Sequence, residues 1–460
     1  MSARKATDAQ ERPGTARRAV LTGGAVGLAA VAGTTFGRVQ PASAAAPPPS
    51  VVDWINVTNN NVVTTGFAKG DGTTDDQPAI QAALDAAKPG QVVYLPGPTS
   101  GTTIKGIYLV KKPLLVPEGV ILSGCSPAGQ LASGLIGMYG SILKVSASWV
   151  QGARAPVRGV IVFDGTVIVP PRTGPSLSNP VVKDLWIDCN SGPAPANVHG
   201  IASLATVFRA VIDRVGIVAP TGRGIWGQNG SGGRPDGWSI TNVIVELPGS
   251  DGVQYEGQDA FLSNVHAQNG NTNGTGDGIV ITGGNNRLVG CRADSCTNGF
   301  TIDVRQNGNF SGSTTLVGCG TEENSQNGLN VVNSAQSATA MSDPVVATGC
   351  SFDGDGTGTA AQYAGISVTG ANIVILNACN VNVTSVAGRA TPPFALSFAN
   401  NTFSDPNLIQ ALGGWWTAAS GTLVNKPASF TTKLSYGVHG STGGQFGNGD
   451  SVTAFTLNNL

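Results

Sequence analysis

The chain has 460 residues, of which 65 are glycine and only 12% are charged, about half the charged share of an ordinary globular domain. With a formal net charge of −1 it offers no basic face for nucleic acid or an anionic membrane, which excludes functions built on that attraction. Its apolar residues come in short β-branched runs broken by Gly, Asn and Ser rather than at helical spacing, so the body reads as all-β.

Residues 1–44 combine a polar start, the pair Arg17-Arg18, an Ala/Gly-rich apolar stretch from Ala25 to Gly33, and Ala42-Ser43-Ala44, the order of an export signal peptide. The segment Ala16-Arg17-Arg18-Ala19-Val20-Leu21 resembles the twin-arginine signal, with Ala16 where that pattern has Ser or Thr. The apolar stretch falls well short of the roughly 20 residues that span a membrane. The expectation is removal near Ala44 and a secreted, extracellular protein with no membrane segment. Pro47 to Pro49 then make 45–52 a stiff, Pro-rich spacer.

The folded part opens with Asp71-Gly72-Thr73-Thr74-Asp75-Asp76, followed by Ala79, Ile80, Ala83, Leu84 and Ala87 at helical spacing. This predicts a short amphipathic helix from Gln77 to Ala87, with Asp75 or Asp76 as N-cap and Pro89-Gly90 as its stop. Short strands are predicted at Val92 to Pro96, Ile107 to Leu109 and Val120 to Gly124.

From about residue 180 the chain repeats. One unit is a glycine followed by an apolar residue, at Gly200, Gly224, Gly252, Gly278, Gly299, Gly328 and Gly365. A second, alternating unit precedes each glycine and aligns on Leu185, Val215, Val243, Val265, Cys291, Cys319, Cys350 and Cys379. Two interleaved repeats of one period, both with strand character, mean that each turn of the chain lays its strands beside those of the next. That is a solenoid, a parallel β-helix, in which equivalent side chains stack about 4.8 Å apart along the axis. It is expected over 53–402. From about 403 the repeat is lost, and 403–460 is expected to cover the last coil, with Trp415-Trp416 anchoring it. Four of the seven cysteines share one inward column and are expected to pack as a buried ladder of thiols. A local bridge from Cys291 to Cys296 is the alternative for that pair.

The stretch Gly66 to Asp76, with Ala79-Ile80-Gln81-Ala82-Ala83 and Val93-Tyr94-Leu95-Pro96, resembles the N-terminal motif of the pectate-lyase-superfamily proteins related to glycosyl hydrolase family 28. The resemblance covers about thirty residues and implies a right-handed β-helix closed by a short N-terminal capping helix. It also implies a polysaccharide, acidic or neutral, as substrate or partner. It does not extend to the polygalacturonase signatures. The only Asp-Asp pair is Asp75-Asp76 in the capping segment, Val198-His199-Gly200 lacks the first glycine of Gly-His-Gly, and Cys189 follows Leu185-Trp186-Ile187-Asp188 where one pectate-lyase group has histidine.

Three residues past the central column stand Asp188, Val218, Glu246, Gln268, Asp294, Glu322 and Asp353. Alternation turns this position outward, so Asp294, Glu322 and Asp353 form a ladder of like charges that needs a calcium ion, a shared proton or solvent. No other cofactor is implied. A second set precedes the glycines: Asp251 and Asp277, with Arg223 and His199 in the coils before. They are either acid groups or turn formers. Glu256 and Asp303, four residues past their glycines, lie two coils apart, a spacing near that of an inverting glycosidase pair. His266 and Arg292 face outward on adjacent coils and suit a lyase, as base and as cation for a uronate carboxylate, with Arg305 as a second cation. Trp226 is a candidate platform for a sugar ring. The sequence therefore points to a polysaccharide-active enzyme, hydrolase or lyase, working in an outer groove. The other reading is a non-catalytic carbohydrate-binding rod. A homotrimer is compatible with either.

Overall fold

A computed structural model describes residues 54 to 446 apart from 60–65, 99–100, 102–104, 126–139, 154, 156, 166–175, 190–194, 230–232, 271–275, 305–311, 335–343, 358–362, 371–372, 383–393, 400–407, 418–421, 426–432 and 441–444. The expected export signal, the spacer and Arg305 lie outside the described residues.

Two long parallel ladders run through the molecule. In the first, Val181–Asp188, Val211–Val218, Ser239–Glu246 and Phe261–Gln268 pair in register, one strand per coil. On the four coils after Gln268 each such strand splits in two, as Arg287–Val289 and Arg292–Asp294 do on the first of them. In the second ladder the strands that follow the repeated glycines pair in turn: Ile225–Gly227, Val253–Tyr255, Ile279–Thr282, Phe300–Asp303 and Leu329–Val332. The result is the expected parallel β-helix, right-handed as parallel crossovers are.

Alternation sets the core. Leu185, Val215, Val243 and Val265 point inward, and the same column continues as Cys291, Cys319, Cys350 and Cys379, all buried. All seven cysteines are free thiols, Cys296 included. The ladder is therefore built of packed thiols, and the local bridge from Cys291 to Cys296 is not formed.

The repeated glycines are required by close approach rather than by backbone freedom. A Cβ at Gly224 would stand 2.3 Å from Val245 Cγ1 and 2.5 Å from the Gly252 carbonyl oxygen of the next coil. Where the chain does need left-handed backbone is one residue before the central column. Asp184, Arg214, Asn242, Asn264, Gly290, Gly318, Gly349 and Ala378 all adopt φ between 50° and 62° there, making one corner of every coil. Asp, Asn and Gly take this conformation readily; Arg214 and Ala378 do so because the coils on either side dictate the bend.

The N-terminal helix spans Gln77–Ala86 and buries Ile80, Ala83 and Leu84 against the core. Asp76 holds the N-cap position but its side chain does not cap the helix. A cap bonds the N–H of the second or third helical residue, and the second is Pro78, which has none. The Asp76 carboxylate instead accepts from the N–H groups of Lys69 and Gly70 at 2.6 and 3.1 Å, closing the preceding loop. Burial raises its pKa to about 6. Asp75 Oδ1 takes the Gln77 N–H at 3.3 Å.

Past residue 403 the coils do not stop. Leu408–Thr417 pairs in parallel with Ile373–Asn377 and with Lys433–Gly440, and Thr422–Asn425 continues the second ladder. The glycine marker is lost there while the strands go on. Trp416 is buried and donates from Nε1 to the Cys379 carbonyl at 2.9 Å, whereas Trp415 is exposed, so one tryptophan of the pair anchors this end.

Candidate functional site

From Glu246 onward the outward positions of the first ladder form a polar strip, whereas on earlier coils Ile142, Trp186 and Val218 make them an apolar cluster with Ile244. Register places His266 beside Arg292, and Gln268 beside Asp294, with Glu322 and Asp353 on the next two coils. On the coil before, Ile244 pairs with His266 and Glu246 with Gln268. His266 is therefore flanked diagonally by a carboxylate on each side, Glu246 and Asp294.

The side chains make a connected network. His266 Nε2 lies 2.7 Å from Asp294 Oδ2. Arg292 Nη2 bridges Asp294 Oδ2 at 3.3 Å and Glu322 Oε2 at 3.0 Å. Asp294 is the enclosed member, with its side chain 18% exposed against 31% for His266, 53% for Arg292 and 56% for Glu322. Glu246 differs from it. Its Oε2 is buried without a hydrogen-bond partner, and burial raises its pKa. Sequence reading aligned Glu246 in this column but assigned it nothing, since its distinction lies in surroundings that neighbouring coils supply.

The expected ladder of Asp294, Glu322 and Asp353 is present in register, and the cation between its first two members is the Arg292 guanidinium. Asp353 accepts from Ser351 Oγ on its own strand at 2.8 Å. Calcium takes roughly six to eight oxygen ligands. Among the described residues no three His, Cys, Asp or Glu side chains converge on a metal position.

The second candidate set turns out to be scaffold. His199 Nδ1 accepts the Arg223 N–H at 2.9 Å, Asp251 Oδ1 accepts the Asp277 N–H at 3.1 Å, and Asp277 Oδ1 accepts the Asn298 N–H at 3.0 Å. Asn298 and Asn327 repeat the pattern onto Asn327 and Ala364. From His199 to Asn327 each side chain before a repeated glycine thus caps the backbone of the next coil, apart from Arg223, which donates from Nε to Asp251 at 2.9 Å. Asp277 also accepts from Thr301 Oγ1 at 2.5 Å, and burial raises its pKa. His199 is buried beside Arg223 and Arg158, which lowers its pKa to about 4 and suits a neutral ring accepting at Nδ1. The continuation through Asn298 and Asn327 is the sequence signal that separates a ladder from a catalytic pair.

Glu256 and Asp303 are engaged in opposite directions along the axis. Glu256 accepts from Trp226 Nε1 of the preceding coil at 3.0 Å and from Gln254 at 2.8 Å. Asp303 is buried and accepts from Ser334 of the following coil, at 3.1 Å from its N–H and 2.6 Å from its hydroxyl. Trp226 is held by Glu256, covered by the Arg223 guanidinium at 4.8 Å and flanked by the His199 ring at 4.7 Å, so it is a packed member of this cluster and not an open platform.

Residues 59–142 match the family model for rhamnogalacturonase A/epimerase, pectate lyase-like proteins. No curated protein matches the chain in sequence. Solved structures share the fold. The A-module of the Azotobacter vinelandii mannuronan C-5 epimerase AlgE4 superposes with a TM-score of 0.56 at 19% identity, over 81% of this chain and 94% of that one. The catalytic unit of a GH87 α-1,3-glucanase from Streptomyces thermodiastaticus gives 0.51 at 18% identity, over 87% and 70%. The enzymatically active domain of bacteriophage CBA120 tailspike protein 2 gives 0.53 at 14% identity, over 84% and 51%. The chain is a right-handed parallel β-helix protein, and its residues 59–142 are similar to pectate-lyase-like proteins.

Proposed function

We propose that this chain is an exported, polysaccharide-active enzyme that hydrolyses a glycosidic bond at the strip centred on His266, with Glu246 as general acid and Asp294 as general base. One observation carries the reading. Glu246 and Asp294 occupy the same outward position on coils separated by that of Gln268, a backbone separation of about 10 Å at two axial steps. Inverting glycosidases hold their two carboxyl groups roughly 6.5–9.5 Å apart, with water between the base and the sugar.

Opposite surroundings suit opposite roles. A buried, unpartnered oxygen favours the protonated Glu246, which gives its proton to the leaving glycosidic oxygen. Asp294, fixed by the His266 imidazole and the Arg292 guanidinium, takes a proton from the attacking water. A lyase would need Arg292 for a uronate carboxylate, and that guanidinium is already committed to Asp294 and Glu322. The glucanase and the epimerase that share the fold are named for action on polysaccharides, which agrees with the substrate class. Export rests on the Arg17-Arg18 segment.

The test is incubation of the purified mature protein with a polysaccharide panel, reading new reducing ends and, separately, ultraviolet absorbance of unsaturated uronates. Reducing ends without that absorbance, lost in Glu246→Gln and Asp294→Asn proteins of unchanged fold, support hydrolysis at this strip. Unsaturated products would point to elimination instead.

A further inference from the structure

The polar strip bears on the charge of the glycan it takes, an inference that rests on the proposed polysaccharide-active reading of the same site. The six coils from Ile244 to Asn382 present two outward positions each in this ladder. Those positions carry three carboxylates, on Asp294, Glu322 and Asp353, and the carboxyl group of Glu246, against one guanidinium, on Arg292. The guanidinium is not free to meet a ligand anion, because Asp294 and Glu322 hold it at 3.3 and 3.0 Å. Of the remaining polar positions, His266 is engaged by Asp294 at 2.7 Å, and Gln268, Ser351, Asn380 and Asn382 are uncharged groups that exchange hydrogen bonds with hydroxyls.

We infer that the strip binds an uncharged glycan and rejects polyuronates, although proteins of this fold include one named for acting on a uronan. The physical reason is direct. Sugar hydroxyls donate to carboxylates and gain charge-assisted hydrogen bonds. A uronate carboxylate laid along the same coils meets like charges a few ångströms away with no unpaired cation to offset them.

The inference is tested with a polyuronate and the same polymer after reduction of its carboxyl groups to primary alcohols, together with an unbranched neutral α-glucan. Binding is measured by affinity electrophoresis with the Glu246→Gln protein. The expected result is retardation by at least one neutral polymer, with affinity for the reduced polymer roughly tenfold above that for its parent at low salt, and a gap that narrows as salt is raised. Glu322→Gln combined with Asp353→Asn should narrow the gap as well, by raising affinity for the polyuronate. Equal or tighter binding of the polyuronate, or retardation by none of the neutral polymers, overturns the inference. Cleavage by the Glu246→Gln protein would defeat the hydrolytic reading while leaving the charge preference to be read from the same gels.

Discussion

Glu246 and Asp294 stand at one outward position of the β-helix two coils apart, with Gln268 between them, and their surroundings differ: Asp294 is bonded by His266 and Arg292, whereas an oxygen of Glu246 is buried without a partner. Two carboxyl groups that the sequence pattern treats as equivalent are thereby given different roles. Replacing either should remove catalysis without unfolding the chain, because both lie on the outer face and leave the core columns intact. Glu246→Gln and Asp294→Asn are each expected to lower kcat by about 10²–10⁴-fold, the usual range for a general acid or base. His266→Ala, which only loosens Asp294, should cost less than either. Initial rates beside circular dichroism of each variant check this.

Gly224→Ala tests why the glycine column exists. Its methyl group would meet Val245 and the Gly252 carbonyl oxygen at 2.3 and 2.5 Å, so the coils would have to part. A loss of about 1–3 kcal/mol is expected from overpacking, read as a lowered urea midpoint.

Asp355 tests the pH response. It is fully buried, takes hydrogen bonds from Thr321 Oγ1 and from the N–H and Nδ2 of Asn324, and burial raises its pKa from 3.8 to about 7. A carboxyl whose folded pKa is raised stabilises the fold fully below about pH 4 and loses that contribution as pH rises through about 7. Asp355→Asn keeps the shape, with the amide oxygen toward Asn324 and the amide nitrogen toward the Thr321 hydroxyl. The variant should exceed wild type in stability at pH 8 by roughly 1–4 kcal/mol and show a flatter pH dependence between 4 and 8. Chemical denaturation at several pH values measures both.

The thiols give a count. Cys125 is exposed and the other six cysteines are buried and unpaired. Ellman's reagent should therefore titrate one thiol quickly in the native protein and all seven after denaturation without reductant. A deficit after denaturation would reveal disulfides that this packing does not contain.

Much of the fold was legible because a solenoid writes its geometry in the sequence. The glycines from Gly200 to Gly365 mark one ladder, and the column from Leu185 to Cys379 marks the other, in the register found. Other features depend on neighbours rather than on residue type. Arg214 and Ala378 occupy left-handed corners that their side chains do not advertise. Asp76 looks like a cap and closes a loop, because its carboxylate is taken by the N–H groups of Lys69 and Gly70. Leu408–Thr417 continues the coils after the glycine marker has gone. The site followed the same division. His266, Arg292, Asp294 and Glu322 were legible as outward neighbours, while the separation of Glu246 from the other carboxylates depends on burial. Asp251 and Asp277 read from the sequence as either acid groups or turn formers, and they accept N–H groups of the next coil in a ladder that Asn298 and Asn327 continue.

The measurement that bears most directly on the central claim is the anomeric configuration of the first product released from a neutral polysaccharide, followed by proton NMR within seconds of mixing, for wild type and for Glu246→Gln and Asp294→Asn. Hydrolysis between Glu246 and Asp294 predicts inversion in the wild type and no product from either folded variant. Retention of configuration, or undiminished product from both variants, would contradict it.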